Sequence, residues 1–324
     1  MLWLAVFSMA ALALGRERLA TGAEAAGAYG LATPQNDQNI GSFDPRDPTL
    51  LKGALGIEAL SGLKPEAAAE RAGAWLASLG SHDTKQPERL IASILPERSW
   101  FQARLMMERD EPTLRGDALS GGAFGQAYAE ILASLSQSRS ASPAFEAVLT
   151  AIWRDLELGS DLKPGPVAPL ARKERWLPGT TSLSASHRYA LDLFFTKVRR
   201  QGQEEIGPAV KSIATGIVVA SADDWKGADK ASLYKSGGLS PKAGNGLIIF
   251  NPDEGRYYAY FHLHDIKFRA GELVAAGQTL GHGGNTGINA RKKGHGEHLH
   301  IEIHETDGSV WTSYQLKEFI ALLP

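Results

Sequence analysis

The spacing of hydrophobic and polar positions changes about half-way along the chain. From Leu50 to about Leu158, apolar residues recur at helical intervals, which predicts one helix after another. We place a helix start at Ser142-Pro143, because this pair resembles an N-cap followed by proline in the first turn. The helices are predicted at 65–79, 86–108, 123–135 and 143–158.

Beyond a proline- and glycine-rich stretch at 161–170, the pattern becomes one of short strands. β-branched and aromatic runs between glycines predict strands at 213–220, 246–251, 256–263, 273–280 and 298–304. Short strands separated by turn signals indicate an antiparallel all-β domain rather than βαβ units. The sequence therefore predicts an α+β chain, in which an N-terminal helical region precedes an antiparallel all-β domain.

The N-terminus predicts export. Its apolar run, 2–15, is too short to span a bilayer comfortably and suits the core of a signal peptide, although no Lys or Arg precedes it. Small-x-small motifs at 11–13 and 23–25 resemble cleavage sites, so a cleaved signal and a membrane anchor both remain open, as does a buried helix. We expect a periplasmic or envelope-associated protein. The predicted regions are a signal or anchor at 1–25, a linker at 26–48, a helical domain of unknown role at 49–160, a linker at 161–175 and the β domain at 176–324.

Composition restricts the class of protein, the partners and the metal ligands that are expected. With 43% hydrophobic and 22% charged residues, the chain of 324 residues has the composition of an ordinary globular protein. The net charge of −2 shows no basic surplus, so no nucleic-acid partner is expected. The chain has no cysteine, and a metal site must therefore use histidine and carboxylate ligands.

Eight of the nine histidines lie in the last 138 residues, and the segment 294–305 is the most informative. Because side chains alternate along a strand, this segment divides into an apolar face and a polar face. Two histidines at i and i+2 can serve one metal centre, whereas the alternative is a pair of surface histidines on a half-buried strand. The apolar face takes Leu299, Ile301 and Ile303, and the polar face takes His298, His300, Glu302 and His304.

Two further segments offer candidate site residues. In 256–265, alternation puts Tyr258, Tyr260 and His262 on one face and Tyr257, Ala259 and Phe261 on the other, with His262 ending the strand at its rim. Asp265 suggests a turn, so His264 is expected at the surface. Upstream, His187 in a loop and Asp192 entering a strand could supply the remaining two ligands of a three-ligand zinc site.

Taken together, these segments resemble the LytM/lysostaphin family of zinc endopeptidases over roughly 176–305. The resemblance implies two facing antiparallel sheets with a groove between them, suited to an extended peptide. The strings that carry it are WLPG from 176, YALD at 189–192, TGIVVAS from 215, GNGLIIFN from 244, YFHL ending at 263, GELVAAGQTLGHGGNTG at 271–287 and GEHLHIEI ending at 303.

Carried over position by position, the resemblance implies that His187, Asp192 and His300 bind one Zn²⁺ per chain and that His262 and His298 are catalytic histidines outside the ligand set. One departure is the spacing: the common pattern places the aspartate four residues after the first histidine, whereas Asp192 follows His187 by five. Relatives with a longer loop and a YA-x-D ending share this spacing. The histidines that match no family site position, and are expected in loops or at the rim, are His282, His295 and His304.

The function that the resemblance implies is zinc-dependent endopeptidase activity on the stem peptides or peptide cross-links of peptidoglycan, in cell-wall remodelling. The alternative is a catalytically silent relative that acts as a wall-binding module or as an activator of other murein hydrolases. The bond cleaved is not encoded in any motif. Because the helical region shows no candidate site, residues 165–324 alone are expected to retain hydrolysis.

Overall fold

The structure is a computed structural model that describes residues 48–79, 85–162, 165–175, 187–197, 206–288, 290–292 and 296–324. The predicted export segment at 1–25 and all of the predicted linker up to residue 47 lie outside the described residues, as do His82 and His295. Residues Pro45–Pro324 form one compact unit. This unit contains both the helical and the β regions, and the boundary predicted between them at 161–175 stays a prediction.

The N-terminal half is helical, as the spacing of its apolar residues predicts. Among the described residues, no helix is both long enough and apolar enough to cross a membrane. The α-helices in the described residues, including one at the C-terminus, are α1 Pro48–Leu55, α2 Ile57–Leu60, α3 Pro65–Ser78, α4 Pro87–Ile94, α5 Arg98–Leu105, α6 Glu111–Ala118, α7 Gly122–Asp155 and α8 Ser313–Leu322.

The predicted helix boundaries are wrong at two prolines, because one ends a helix and the other lies inside one. The helix predicted at 86–108 is broken into α4 and α5, because Leu95 before Pro96 takes an extended conformation with ψ of 135°. The helix start predicted at Ser142-Pro143 is wrong, since α7 runs through Pro143 without ending. Interior proline costs about 3 kcal/mol, and the packing of α7 against α3, α5 and α6 outweighs that cost.

The C-terminal half forms two antiparallel sheets, which confirms the predicted α+β class. One sheet has six strands in the order β1-β9-β5-β4-β3-β7, and the other has three in the order β2-β8-β6. The strands are β1 Leu191–Phe194, β2 Ala209–Lys211, β3 Gly216–Ala222, β4 Gly246–Asn251, β5 Arg256–Phe261, β6 Leu263–Ile266, β7 Leu273–Val274, β8 Thr279–Gly283 and β9 His298–Glu305.

Local backbone features divide two of the predicted strands and move their parts into different sheets. The run 256–263 is split at His262, whose φ of 64° ends β5 and starts β6. The run 273–280 is split by the turn at Gly277, whose φ of 83° separates β7 from β8. Asp265, expected to form a turn, lies within β6. Strand β2 is not among the predicted strands.

The six-stranded sheet is the middle layer of the molecule. On one face, Leu299, Ile301 and Ile303 are fully buried, as alternation predicts, and share a core with residues of the three-stranded sheet such as Leu263 and Leu280. The opposite face shares a second core with helical residues such as Trp100, Phe101 and Phe145. The sheet residues of that second core include Ile217, Val219, Ile248, Phe250, Tyr257, Ala259 and Phe261.

A buried polar network joins the helices to the sheet. The Arg104 guanidinium of α5 donates to Glu146 of α7 at 2.9 Å, and the Tyr257 hydroxyl of β5 donates to the same carboxylate oxygen at 2.8 Å. Arg104 also donates to the carbonyl oxygens of Glu305 and Thr306, at the end of β9, at 3.1 Å each. The helical region thus contacts the strand that carries His298 and His300.

Candidate metal centre and active site

The site residues lie on the helix-facing surface of the six-stranded sheet, at its β1–β9 end. Strands β1 and β9 pair antiparallel with Asp192 opposite His300 and Phe194 opposite His298. Directly opposite residues of an antiparallel pair project to the same face with adjacent side chains. The register therefore brings the carboxylate next to the histidine pair from a segment more than 100 residues away in sequence.

The three predicted metal ligands come together. His187, Asp192 and His300 each offer one ligand atom, and these atoms lie within 4.8 Å of one another. His300 Nδ1 is 2.9 Å from Asp192 Oδ1, and His187 Nε2 is 3.4 Å from Asp192 Oδ2. Two imidazoles and one carboxylate are a donor set suited to a catalytic zinc ion, which keeps a position open for water.

The five-residue spacing between His187 and Asp192 does not separate them. His187 opens a short turn that ends before β1, and the Ala190 amide donates to the His187 carbonyl at 3.4 Å. The turn takes up the extra residue and returns the His187 ring to the strand face that carries Asp192. With 31% of its side chain exposed, His187 is the most accessible of the three ligand candidates.

His262 lies in the site, but not on the face that alternation predicts. The regular pattern would place it with Tyr258 and Tyr260 between the two sheets. Its positive φ of 64° reverses the direction of the side chain. The His262 ring centroid lies 4.8 Å from that of His298 and 5.7 Å from that of His300. Strand periodicity cannot detect such a reversal.

Gly287, the last residue of the GNTG turn, is required by this arrangement. Its φ is 95°, and a Cβ there would lie 2.2 Å from the Lys242 carbonyl oxygen and 3.0 Å from His262 Nδ1. Any other residue would therefore collide with the backbone beside His262. The turn holds the backbone against the His262 ring.

Backbone carbonyl groups fix the orientation of the two histidines outside the ligand set. His262 Nδ1 lies 2.8 Å from the Thr286 oxygen, and His298 Nδ1 lies 3.1 Å from the Gly296 oxygen. A carbonyl oxygen only accepts, so Nδ1 carries the proton in each ring and Nε2 holds the lone pair when the ring is neutral. His298 Nε2 is 3.8 Å from Asp192 Oδ2, which places it beside the ligand cluster.

Burial and charge set the protonation states of the site. Burial lowers the pKa of His262 well below its usual range, and the positive charges of His298 and His300 lower it further. For Asp192, burial raises the pKa, but the hydrogen bond and charge of His300, with the charges of His298 and His187, hold it well below its usual range. Asp192 is therefore a carboxylate, and His262 is a neutral base.

His300 has the opposite shift. Burial lowers its pKa, but hydrogen bonds to Asp192 and Glu302 outweigh burial and raise the pKa to about 10. Without a metal, His300 is an imidazolium held between two carboxylates. Its Nδ1 contact with Asp192 distinguishes His300 from His298, whose Nδ1 is bound to a carbonyl.

No motif assigns a role to Glu302, and the predicted position of His304 is wrong. His304 was expected in a loop or at the rim, but it lies within β9 and is 3% exposed. Its Nε2 is 2.8 Å from Glu302 Oε2, and Glu302 Oε1 is 2.9 Å from His300 Nε2. Alternation places His300, Glu302 and His304 on one face of β9, and this pattern is the sequence signal for their contact.

The remaining histidines lie elsewhere. His264, expected at the surface, lies in β6 and is partly exposed. His282 lies in β8, not in a loop, and its Nδ1 is 2.9 Å from Asp265 Oδ1. Within the described ranges, the one group of three or more residues arranged to hold a metal ion is His187, Asp192 and His300.

Residues 202–311 match the sequence model of peptidase family M23. This part of the chain is therefore similar in sequence to that family. The match includes His262, His298 and His300, whereas His187 and Asp192 precede it. The resemblance to lysostaphin-type peptidases read from the motifs is thereby confirmed.

Several solved structures are similar to about half of the chain. The catalytic domain of lysostaphin from Staphylococcus simulans is 20% identical, over 51% of this chain and 96% of that one, with a TM-score of 0.30. A zinc-containing peptidase from Vibrio cholerae is 21% identical, over 50% of this chain and 41% of that one, with a TM-score of 0.32. A putative peptidase M23 from Pseudomonas aeruginosa is 20% identical, over 48% and 56%, with a TM-score of 0.28. The likeness to the family is carried by the sequence match and the motifs.

Proposed function

We propose that this M23 protein is an exported zinc endopeptidase that hydrolyses peptide bonds in the stem peptides or cross-links of peptidoglycan. The observation that carries the proposal is the convergence of His187, Asp192 and His300 beside the two anchored imidazoles of His262 and His298. A catalytically silent relative would have no need of all five groups in one place.

The ligand candidates fit zinc in number and kind. The ring nitrogens of His187 and His300 and the carboxylate of Asp192 would hold one ion, and the partial exposure of their side chains leaves room for substrate. A zinc ion bound there would polarise the scissile carbonyl group and lower the pKa of a water molecule. Asp192, ionised in its surroundings, contributes the negative charge that a divalent cation requires.

The two other histidines would move protons. His298, with Nε2 facing the ligand cluster, would accept or steer the proton of the attacking water. His262, with Nδ1–H held by Thr286, would use Nε2 to stabilise the oxyanion or to pass a proton to the leaving amine. Each ring is prevented from turning by its carbonyl partner, so Nε2 stays available to the reaction.

The test is to measure bound zinc and muropeptide release from purified peptidoglycan, for the wild type and for His300→Ala. We expect about one zinc per wild-type chain and soluble fragments, and loss of both in the variant. A wild-type protein without zinc, or equal hydrolysis by both proteins, would refute the proposal. Mass analysis of the products identifies the bond, and zinc binding without products would point to a wall-binding module or an activator.

A further inference from the structure

Glu302 occupies a position next to the site that the ligand set and the catalytic histidines do not account for. It follows His300 by two residues on β9, so the two side chains share one face. Across the sheet it is paired with Ala259 of β5, whose small side chain leaves space for the Glu302 carboxylate to turn along its own strand. Its two oxygens contact two different histidines of β9.

The contact of Glu302 with His300 occupies one nitrogen of the His300 ring and leaves the other for a metal. Glu302 Oε1 is 2.9 Å from His300 Nε2, on the opposite side of the ring from Asp192. Carboxylates only accept hydrogen bonds, so both ring nitrogens carry a proton when no metal is bound. A metal ion held together with Asp192 would replace the proton on Nδ1, whereas the contact with Glu302 would keep the proton on Nε2. Nδ1 is the atom that faces Asp192 and the ligand cluster.

His304 holds the other oxygen of the same carboxylate. Its Nε2 lies 2.8 Å from Glu302 Oε2, and the His304 ring is itself buried, at 3% exposure. A carboxylate fixed at both oxygens cannot rotate away from His300. This arrangement explains why a histidine that matches no ligand or catalytic position lies buried in the site strand.

We propose that Glu302, held by His304, is a positioning residue that keeps His300 in the tautomer and ring orientation that present Nδ1 to the metal. This proposal rests on the proposed zinc site and adds one requirement to it. Carboxylate partners of metal-binding histidines also increase the basicity of the ring, and their loss typically lowers metal affinity by about 10- to 100-fold.

The experiment uses the full chain stripped of metal, with the variants Glu302→Ala and Glu302→Gln. Zinc affinity is measured by competition with a chromophoric chelator, and ligand geometry by the visible spectrum of the cobalt(II) form. We expect Glu302→Ala to bind zinc about 10- to 100-fold more weakly and to show a changed cobalt spectrum. Glu302→Gln should lose less affinity, because its amide oxygen can still accept from His300 Nε2. In both variants kcat should fall more than KM changes.

Asp265→Asn is the matched control. It also alters a contact between a carboxylate oxygen and a histidine ring nitrogen, here 2.9 Å from Asp265 Oδ1 to His282 Nδ1 in the other sheet. Zinc affinity, the cobalt spectrum and hydrolysis should match the wild type. An equal loss in this variant would show that the effect at Glu302 is one of general stability and would overturn the proposal.

Zinc binding separates this proposal from the proposed function. If the wild type binds zinc and Glu302→Ala has the same affinity and the same cobalt spectrum, the positioning role is refuted while the zinc site stands. If the wild type binds no zinc, both fail. Should Glu302→Ala not fold, as judged by far-ultraviolet circular dichroism, Glu302→Gln decides by the same two measurements, because it retains the volume of the side chain.

Discussion

Two pairs of histidine and aspartate in this protein have the same cross-strand geometry. Asp192 and His300 are opposite each other on β1 and β9, and Asp265 and His282 are opposite each other on β6 and β8. In both pairs Nδ1 lies 2.9 Å from a carboxylate oxygen. The pairs differ in their surroundings, because 14% of the Asp192 side chain is exposed compared with 44% for Asp265.

The difference shows what makes a candidate metal centre. Around Asp192 and His300, a third ligand candidate arrives from the preceding turn, and the rings of His262 and His298 lie beside them. No such group gathers around Asp265 within the part of the chain that the structure describes. A cross-strand contact between histidine and aspartate is therefore common geometry, and only convergence with burial gives it a chemical role.

Removing the helical region should have the largest effect on this comparison. A fragment of residues 165–324 would expose the sheet face that packs against the helices, including Phe250, Tyr257 and Phe261. Burial of one such side chain stabilises the fold by about 1.5–3 kcal/mol. The six large apolar residues of that face, which also include Ile217, Val219 and Ile248, would together contribute about 9–18 kcal/mol. That is as large as the typical net stability of about 5–15 kcal/mol. We expect the fragment to lose cooperative thermal unfolding, measured by circular dichroism against the full chain.

The sequence predicts that the fragment retains hydrolysis, whereas the structure predicts that it does not fold by itself. The reason is the shared core and the buried contacts of Arg104 and Glu146 with the sheet. A soluble fragment that unfolds cooperatively and binds zinc as the full chain does would show that the helices are a separable domain. It would also show that burial of the Asp192 and His300 pair does not depend on them.

Exchanging one carboxylate at a time should give the next largest effect. Asp192→Asn removes a charged ligand candidate, and we expect zinc affinity to fall by more than the ~100-fold attributed to loss of an outer partner. Hydrolysis should fall with it. Asp265→Asn should leave both unchanged, and zinc titration by calorimetry checks the pair. Equal losses in the two variants would remove the distinction between the two sites.

The pH dependence of zinc affinity should be the smallest of these effects. The pKa of His300 is raised to about 10, chiefly because its contacts with Asp192 and Glu302 outweigh burial, so at neutral pH zinc must displace a proton. We expect about one proton to be released on binding at pH 7 to 8, and the apparent affinity to rise up to about tenfold per pH unit below pH 10. Calorimetry in buffers of different ionisation enthalpy measures this proton. Zinc binding without proton release would contradict the assignment.

The same proton should affect the stability of the metal-free protein. A pKa raised from about 6.5 in the unfolded chain stabilises the fold fully below pH 6.5, and the contribution is lost as pH rises through about 10. The thermal midpoint of the metal-free protein should therefore fall over that interval, and bound zinc should remove most of the dependence.

Much of the fold could be predicted because its signals are local. The period-two pattern of β9 correctly separated Leu299 and Ile301 from His298 and His300, since alternation is a property of the strand itself. Helix boundaries were less predictable. Pro96 and Pro143 carry the same local penalty, and only the packing of α7 decides that one proline breaks a helix and the other does not.

By itself, the sequence determined the helical and β halves, the clustering of histidines, the shared face of β9 and, through its motifs, the resemblance to a peptidase family. Tertiary structure decided the rest. The positive φ of His262 turned its ring into the site, and the register of β1 on β9 placed Asp192 against His300. Glu302 and His304 gained a role from the same packing, because a ring's available nitrogen depends on the partner at its other nitrogen.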